Sequence, residues 1–252
     1  MKQAQNVQAA RPQDFVTLKF SDGRSSIAGI ESVNAVLRSV GVRASTVAIP
    51  GQAKPILKQS LIRPITEAEQ TELIELFNLN RADLLEQIKL AGRTPEMHRG
   101  GYLGTREGDS APYPKVYDMK ALAPDVHTWV LNRYGRLHVN SADNGAGIDE
   151  VMTVVSGGPF TWMFVLPNGV VARLTVEEIA ESGPAVRLSY PGMGMHAGWM
   201  EPKQGLIVAF AHGPESFTIR FDEPSAANAV LLNTNPWADF SGEIPKLYDK
   251  VN

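Results

Sequence analysis

The stretch GIDEVMTVVSGGP, Gly147 to Pro159, carries two adjacent carboxylates into a β-branched run that stops on two glycines. Strand alternation puts Ile148, Glu150, Met152 and Val154 on one face, and Asp149, Val151, Thr153 and Val155 on the other. If the strand walls a barrel, one of the two acids points inward. An ionised carboxylate among Met and Val is strongly disfavoured unless a cation, a metal or several donors meet it. Glu150 therefore has two readings. It is a ligand or catalytic carboxylate facing the bore, or it is the acid of a salt bridge to Arg136, Arg173 or Arg187.

Around this segment, strand signals recur at the spacing of an all-β sandwich or barrel, through RLHVN, FTWMFVL, GVVARLTV, AVRLSY, GLIVAFAH and SFTIRFD. In SFTIRFD, Phe217, Ile219 and Phe221 alternate with Ser216, Thr218, Arg220 and Asp222, which predicts one buried and one wet face. GLIVAFAH, Gly205 to His212, is apolar on both faces and predicts a strand covered on each side, by the N-terminal helices or by a second subunit. Within FVLPNGVVARL, Asn168 and Gly169 are read as the two positive-φ positions of a type I′ hairpin. The C-terminal NTNPWADFSGEIP has turn chemistry and isolated aromatics, and reads as a surface strap.

Towards the N-terminus the texture is helical. IAGIESVNAVLRSVG ends on Gly41, TEAEQTELIELF opens on Thr66 with Glu69 three residues later as a capping box, and RADLLEQIKLAG stops at Gly92. Leu84, Leu85 and Ile88 share a face of the last helix. Arg93 to Pro114 is rich in Gly, Pro and charge without periodicity, and reads as an irregular connector. The expected organisation is a helical region with connector over 1–115 and a β-barrel with its strap over 116–252.

Composition excludes several classes. The 252 residues carry a net charge of −3, which gives no reason to expect a nucleic-acid partner, and the absence of cysteine removes disulfides, thiolate nucleophiles and Cys-ligated metal centres. The first residues lack an apolar export core, and no window approaches 18 consecutive apolar residues. A cytoplasmic protein without membrane contact is the expectation.

At the motif level, the C-terminal half resembles the cupin superfamily. The first motif of that family ends in a Glu, six residues and a Gly, matched here by Glu150, VMTVVS and Gly157. Its second motif has a His five residues after a Pro, matched by PGMGMH from Pro191 to His196. The resemblance covers about Arg136 to Asp222 and implies an α+β chain whose second part is an antiparallel jelly-roll barrel. It also implies a metal or ligand in the bore, chemistry of oxygenase, isomerase or lyase type, and a homodimer. Two departures stand out. The paired histidines of the first motif are replaced by Asp143, Asn144, Gly145 and Ala146, and Met200 stands where the second motif has Asn.

Glu150 and His196 are thus the candidate catalytic residues and, with His138 and His212 as reserves, the candidate ligands of a divalent Fe, Mn, Ni or Zn ion. The simpler account of His138 is a satisfied sheet histidine, and of His212 a strand-end residue bonded to a carbonyl. Trp162, Phe164, Met193 and Met195 are candidates to line a pocket for a small organic ligand, or else core residues. A metal-free, non-catalytic binding or assembly module is the alternative, favoured by the missing histidines.

Two other motifs are discounted. Residues 66–93 have a helix-turn-helix outline, but six acids (Glu67, Glu69, Glu72, Glu75, Asp83, Glu86) face three bases (Arg81, Lys89, Arg93), the wrong balance for phosphate. GGYLGTREG lacks the Lys-Ser/Thr ending of a P-loop. No serine-hydrolase elbow or His-Glu-x-x-His zinc motif is present.

Overall fold

The computed structural model describes residues 15–93, 113–180, 182–200, 204–213 and 216–251. Most of the expected connector and the whole glycine-rich GGYLGTREG lie outside them. In chain order the main elements begin with β1 (Val16–Phe20), β2 (Ile27–Ala28), α1 (Ile30–Leu37), β3 (Arg43–Val47), α2 (Ala53–Ser60), α3 (Glu67–Leu76) and α4 (Arg81–Leu90). They continue through β4 (Lys115–Asp118), α5 (Pro124–Tyr134), β5 (Val139–Ser141), β6 (Asp149–Gly157), β7 (Phe160–Val165) and β8 (Val171–Val176). The last are β9 (Ala185–Tyr190), β10 (His196–Trp199), β11 (Gly205–His212) and β12 (Thr218–Arg220).

Two five-stranded antiparallel sheets carry the fold, one in the order β10-β7-β8-β1-β2 and the other β3-β9-β6-β11-β4. Every residue of β6, β9 and β11 is buried, because both faces of the second sheet are covered. Met152 and Val154 of β6 face the first sheet and pack with Phe160, Trp162 and Leu174. Val151 and Val155 face the other way, onto Ile56 and Leu57 of α2, Leu73 of α3 and Leu84 of α4. The two-sided apolar run Gly205–His212 is explained the same way, with Leu206, Val208 and Phe210 against those helices. Each fully buried leucine in this layer, such as Leu73 or Leu84, contributes roughly 1.5–3 kcal/mol.

Several expectations are corrected by the strand pairing. β1 and β3 lie in the stretch read as helical, yet β1 pairs with β8 and β3 with β9, so the N-terminal residues complete both sheets. In β1 the inward residues Val16, Leu18 and Phe20 are buried and alternate with half-exposed Thr17 and Lys19. Residues 124–134, inside the 116–252 stretch expected to be β-barrel, form α5, with Pro124 at its first turn where a missing N–H costs nothing. The Leu166–Val170 hairpin is not type I′, since Gly169 has φ 80° and Asn168 is not in the positive-φ region. Pro167 favours a type I turn at its position, and Gly169 follows as the left-handed residue of a three-residue loop. Gly169 N–H donates to Leu166 O at 2.9 Å, and Leu166 N–H to Val170 O at 2.8 Å.

No ladder joins the two sheets among the described residues, so they stack as an open sandwich and the expected closed barrel does not form. The chain passes from the second sheet to the first at Gly157 and Gly158, with φ of 64° and 120°. At Gly157 a Cβ would run into the backbone of Gly205 and Gln204. That is why the valine run ends there. The segment leading into β5, which pairs with β12, is tied to β10 of the first sheet by a bridge in which His138 N–H donates to His196 O at 2.8 Å and His196 N–H to His138 O at 3.0 Å. On the outer face of the first sheet, Trp237 of the C-terminal stretch donates its indole N–H to Val171 O at 3.0 Å and packs with Met163 and Trp199.

The capping box read at Thr66 is present, with Glu69 N–H donating to Thr66 Oγ1 and Thr66 N–H to the Glu69 carboxylate. Thr66→Ala is expected to cost about 1 kcal/mol in a urea melt. The Arg63 guanidinium, with the Thr66 N–H, holds the Glu69 carboxyl down to about 2. A carboxyl with a depressed folded pKa adds stability that is complete above its ordinary value and is lost as pH falls towards the folded one. Glu69→Gln should therefore flatten the acid limb of the stability profile between about pH 4.5 and pH 2, as thermal melts across that range would measure.

Candidate functional site

β6 brings Glu150 into the space between the sheets and sends Asp149 to the opposite face, as alternation predicts. There the Asp149 carboxylate meets Arg93 Nη1 at 2.9 Å and accepts the Gly192 N–H at 3.0 Å. Arg93 also donates to Ser189 Oγ at 2.6 Å. The two adjacent acids thus serve two sites. Glu150 is 4% exposed and meets none of the three arginines considered for it. Arg136 is bonded to backbone at Asn132 and Asn233, Arg173 to Tyr248 O, and Arg187 to Thr153 Oγ1.

Facing Glu150 across the sheet gap is His196, at the start of β10, with its Nε2 3.3 Å from Glu150 Oε2. The turn before it makes this approach possible, because Gly192 lies against the backbone of Asn140 and Ile148. Asn140 completes the contact, with Nδ2 2.7 Å from Glu150 Oε2 and 3.1 Å from His196 Nε2. The Tyr113 hydroxyl donates a short hydrogen bond to Glu150 Oε1. His138 stands edge-on to His196 with ring centroids 4.6 Å apart.

Both histidines hold a defined tautomer. His138 Nδ1 is 2.7 Å from Arg136 O and His196 Nδ1 is 2.7 Å from Gly194 O, so each ring donates from Nδ1 to a carbonyl two residues back. In the neutral ring this leaves Nε2 bare, the arrangement that orients imidazoles as metal ligands. Burial, aided by His196, pushes His138 down to about 3 and keeps it neutral at ordinary pH. Four of the six tyrosines line the same cavity: Tyr113, Tyr117, Tyr134 and Tyr190. Burial first, and then the Glu150 carboxylate, raise the phenols of Tyr113, Tyr117 and Tyr190, which remain hydrogen-bond donors. The space they line is about 90 Å³ and is walled further by Met152, Trp162 and Phe217, with Lys115 at its rim.

The sequence candidates separate into three places. Glu150, His196, His138 and Trp162 meet in this cavity. Phe164, Met193 and Met195 line a different cavity of about 230 Å³, with Val40 and Leu166, so they do not form the wall of the first. His212 pairs with Asp149 across β11 and β6, on the helix-covered face, and does not reach the bore. The sequence reading missed Asn140 and the tyrosines. Asn140 was visible only as the alternate residue after His138 in RLHVN, and Tyr113 stood in a stretch without periodicity.

The chain is similar in structure to acireductone dioxygenase from Bacillus anthracis, solved with a cadmium ion in its active centre. The match covers 81% of this chain and 96% of that one, with a TM-score of 0.52 and 14% identity. The fold is cupin-like. No protein-family model matches the chain, and no curated protein matches it. At this identity the likeness speaks to fold, and chemistry must be read from the side chains. No helix among the described residues is long and apolar enough to cross a membrane.

The donor set of the cavity can be tested against a divalent ion. Among the described residues no group of three or more His, Cys, Asp and Glu is placed to hold a metal. Glu150 Oε2 and His196 Nε2 nevertheless converge, and the Asn140 side chain touches both. Asn140 Oδ1 is buried with no hydrogen-bond partner, an orphaned acceptor beside two ligand-type atoms. The residues fit a cation if an oxygen from Asn140 is counted with the carboxylate and the imidazole.

Proposed function

We propose that this chain is a metal-dependent enzyme of the cupin type acting on a small organic molecule between the two sheets, with oxygenase chemistry as the leading class and isomerase or lyase chemistry as the others. The observation that carries the reading is the 3.3 Å approach of His196 Nε2 to Glu150 Oε2 inside a buried, tyrosine-lined cavity. A carboxylate oxygen and a tautomer-fixed imidazole nitrogen at that separation suit Fe, Mn, Ni or Zn, with the neutral His138 beside them. The cadmium site of the structurally similar dioxygenase supports a divalent ion here. Such an ion supplies Lewis-acid polarisation of a substrate oxygen. The chain's own groups do the rest. Tyr113 and Asn140 orient the Glu150 carboxylate, and the tyrosine-rich walls offer both aromatic surface and hydroxyl donors to a small organic substrate.

Elemental analysis of the purified protein tests this directly. Close to one equivalent of a transition metal is expected in the wild type, with most of it lost in both Glu150→Gln and His196→Ala. A metal-free wild type that takes up none when dialysed against Mn²⁺, Fe²⁺, Ni²⁺ or Zn²⁺ would overturn the proposal. It would also favour a second reading, a non-catalytic binding module, which has its own support in the absence of a three-member His, Cys, Asp and Glu cluster among the described residues.

A further inference from the structure

Resting on the metal reading above, we infer that the side-chain oxygen of Asn140 is a ligand of the ion, and that its amide turns over when the ion binds. Asn140 is held in place by its own backbone, whose N–H donates to Gly192 O at 2.7 Å and whose carbonyl accepts from Ile148 N–H at 3.0 Å. The residue is 2% exposed and its side chain aims between Glu150 and His196. With the NH₂ end inward, one amide nitrogen serves two acceptors, and Oδ1 is left buried without a partner. An unmet buried acceptor of this kind costs about 1–3 kcal/mol.

The two ends of an amide are nearly the same size, so a half-turn about the terminal bond puts Oδ1 where Nδ2 now lies. Three electron-pair donors would then face one another, Glu150 Oε2, His196 Nε2 and Asn140 Oδ1, at the separations recorded for these positions: 2.7, 3.1 and 3.3 Å. With nothing between them, three such atoms repel, and the half-turn is disfavoured. With a cation between them, the spacing is that of adjacent ligands. An octahedral ion with bonds of about 2.1 Å separates neighbouring ligand atoms by about 3.0 Å.

The amide therefore behaves as a two-position element: its donor end joins the carboxylate to the imidazole when no ion is present, and its acceptor end holds the ion when one is. A neutral amide oxygen is a hard donor. Replacing an imidazole-type ligand with it shifts preference from the softer Zn²⁺ and Cu²⁺ towards Mn²⁺ and Fe²⁺.

Mn²⁺ binding to the full chain, followed by the EPR signal of the free ion and by Mn²⁺ against Zn²⁺ competition, decides the point. Asn140→Ala is expected to weaken Mn²⁺ at least ten-fold. Asn140→His is expected to move the Mn²⁺ to Zn²⁺ preference at least ten-fold towards Zn²⁺. Asn140→Asp, the same size and shape, guards against misfolding of the other two. Its melting temperature should fall below that of the wild type in EDTA, where two carboxylates meet, and rise above it with Mn²⁺. Should Asn140→Ala and Asn140→Asp both bind Mn²⁺ within two-fold of the wild type while His196→Ala does not, Asn140 is no ligand and the metal site stands without it. Should the wild type bind neither ion, both the metal reading and this inference fall.

Discussion

Replacing Gly192 with Ala is expected to cost about 3 kcal/mol or more and to separate the two halves of the site. A Cβ there would lie closer than 3.0 Å to the backbone N and O of Ile148 and to the Asn140 carbonyl oxygen, atoms that belong to hydrogen-bonded main chain and cannot rotate aside. The turn from Pro191 to Met195 would have to lift away from β5 and the start of β6. That turn delivers His196, while β5 and β6 deliver Asn140 and Glu150, so a shift of even an ångström breaks the contacts between Glu150, Asn140 and His196. Urea melts should show the loss of stability. Metal analysis of whatever folded fraction remains should show far less bound ion than the wild type. Gly145 provides a control from a neighbouring loop, because a Cβ there meets nothing within 4 Å, although its φ of 80° still costs about 1–2 kcal/mol for Ala.

Asp149→Ala is the second large effect, at about 3–5 kcal/mol. Arg93 and Asp149 are 2.9 Å apart with side chains 8% and 1% exposed, so removing the acid strands a guanidinium away from water. Burial already lowers the pKa of Arg93, and Asp149 is the group that opposes the drop. The substitution also removes the acceptor of the Gly192 N–H, which couples this ion pair to the turn that carries His196. Asp149→Asn keeps that acceptor and should lose less. The double variant Arg93→Met with Asp149→Leu removes both charges and should recover much of the stability, since the cost of breaking a buried pair lies mostly in the partner left behind. Denaturant midpoints for the wild type, Arg93→Met, Asp149→Leu and the double variant close the cycle. Additive losses would show that the pair contributes little as a pair.

Much of the second sheet could be read from local pattern. Period-two alternation places Glu150 and Asp149 on opposite faces, and the two-sided apolar run from Gly205 to His212 reports helices on its outer side. Thr66 with Glu69 marks the start of α3 because the cap is a contact within one turn. What escaped was non-local. β1 is five residues long and alternates well, but its partner β8 lies more than 150 residues away, and a short strand flanked by helical sequence gives no sign of so distant a ladder. Alternation puts His212 on one face of its strand with Leu206 and Phe210, but which face is inner depends on the packing of the whole sheet. Asn140 was hidden by distance and by chemistry. It stands ten residues before Glu150, across the loop at 142–148, and a neutral amide does not attract attention as a ligand. The tyrosines come from four separate elements or loops, so only the folded chain brings them together.

The hydrogen bonds from Nδ1 of His138 to Arg136 O and of His196 to Gly194 O have one more consequence. A ring that must keep its hydrogen on one nitrogen to satisfy a peptide oxygen cannot pass a proton through from one side to the other. In this cavity the imidazoles act as fixed lone pairs. Each ring presents only its Nε2 to a bound molecule, while the Tyr113 hydroxyl is committed to the Glu150 carboxylate.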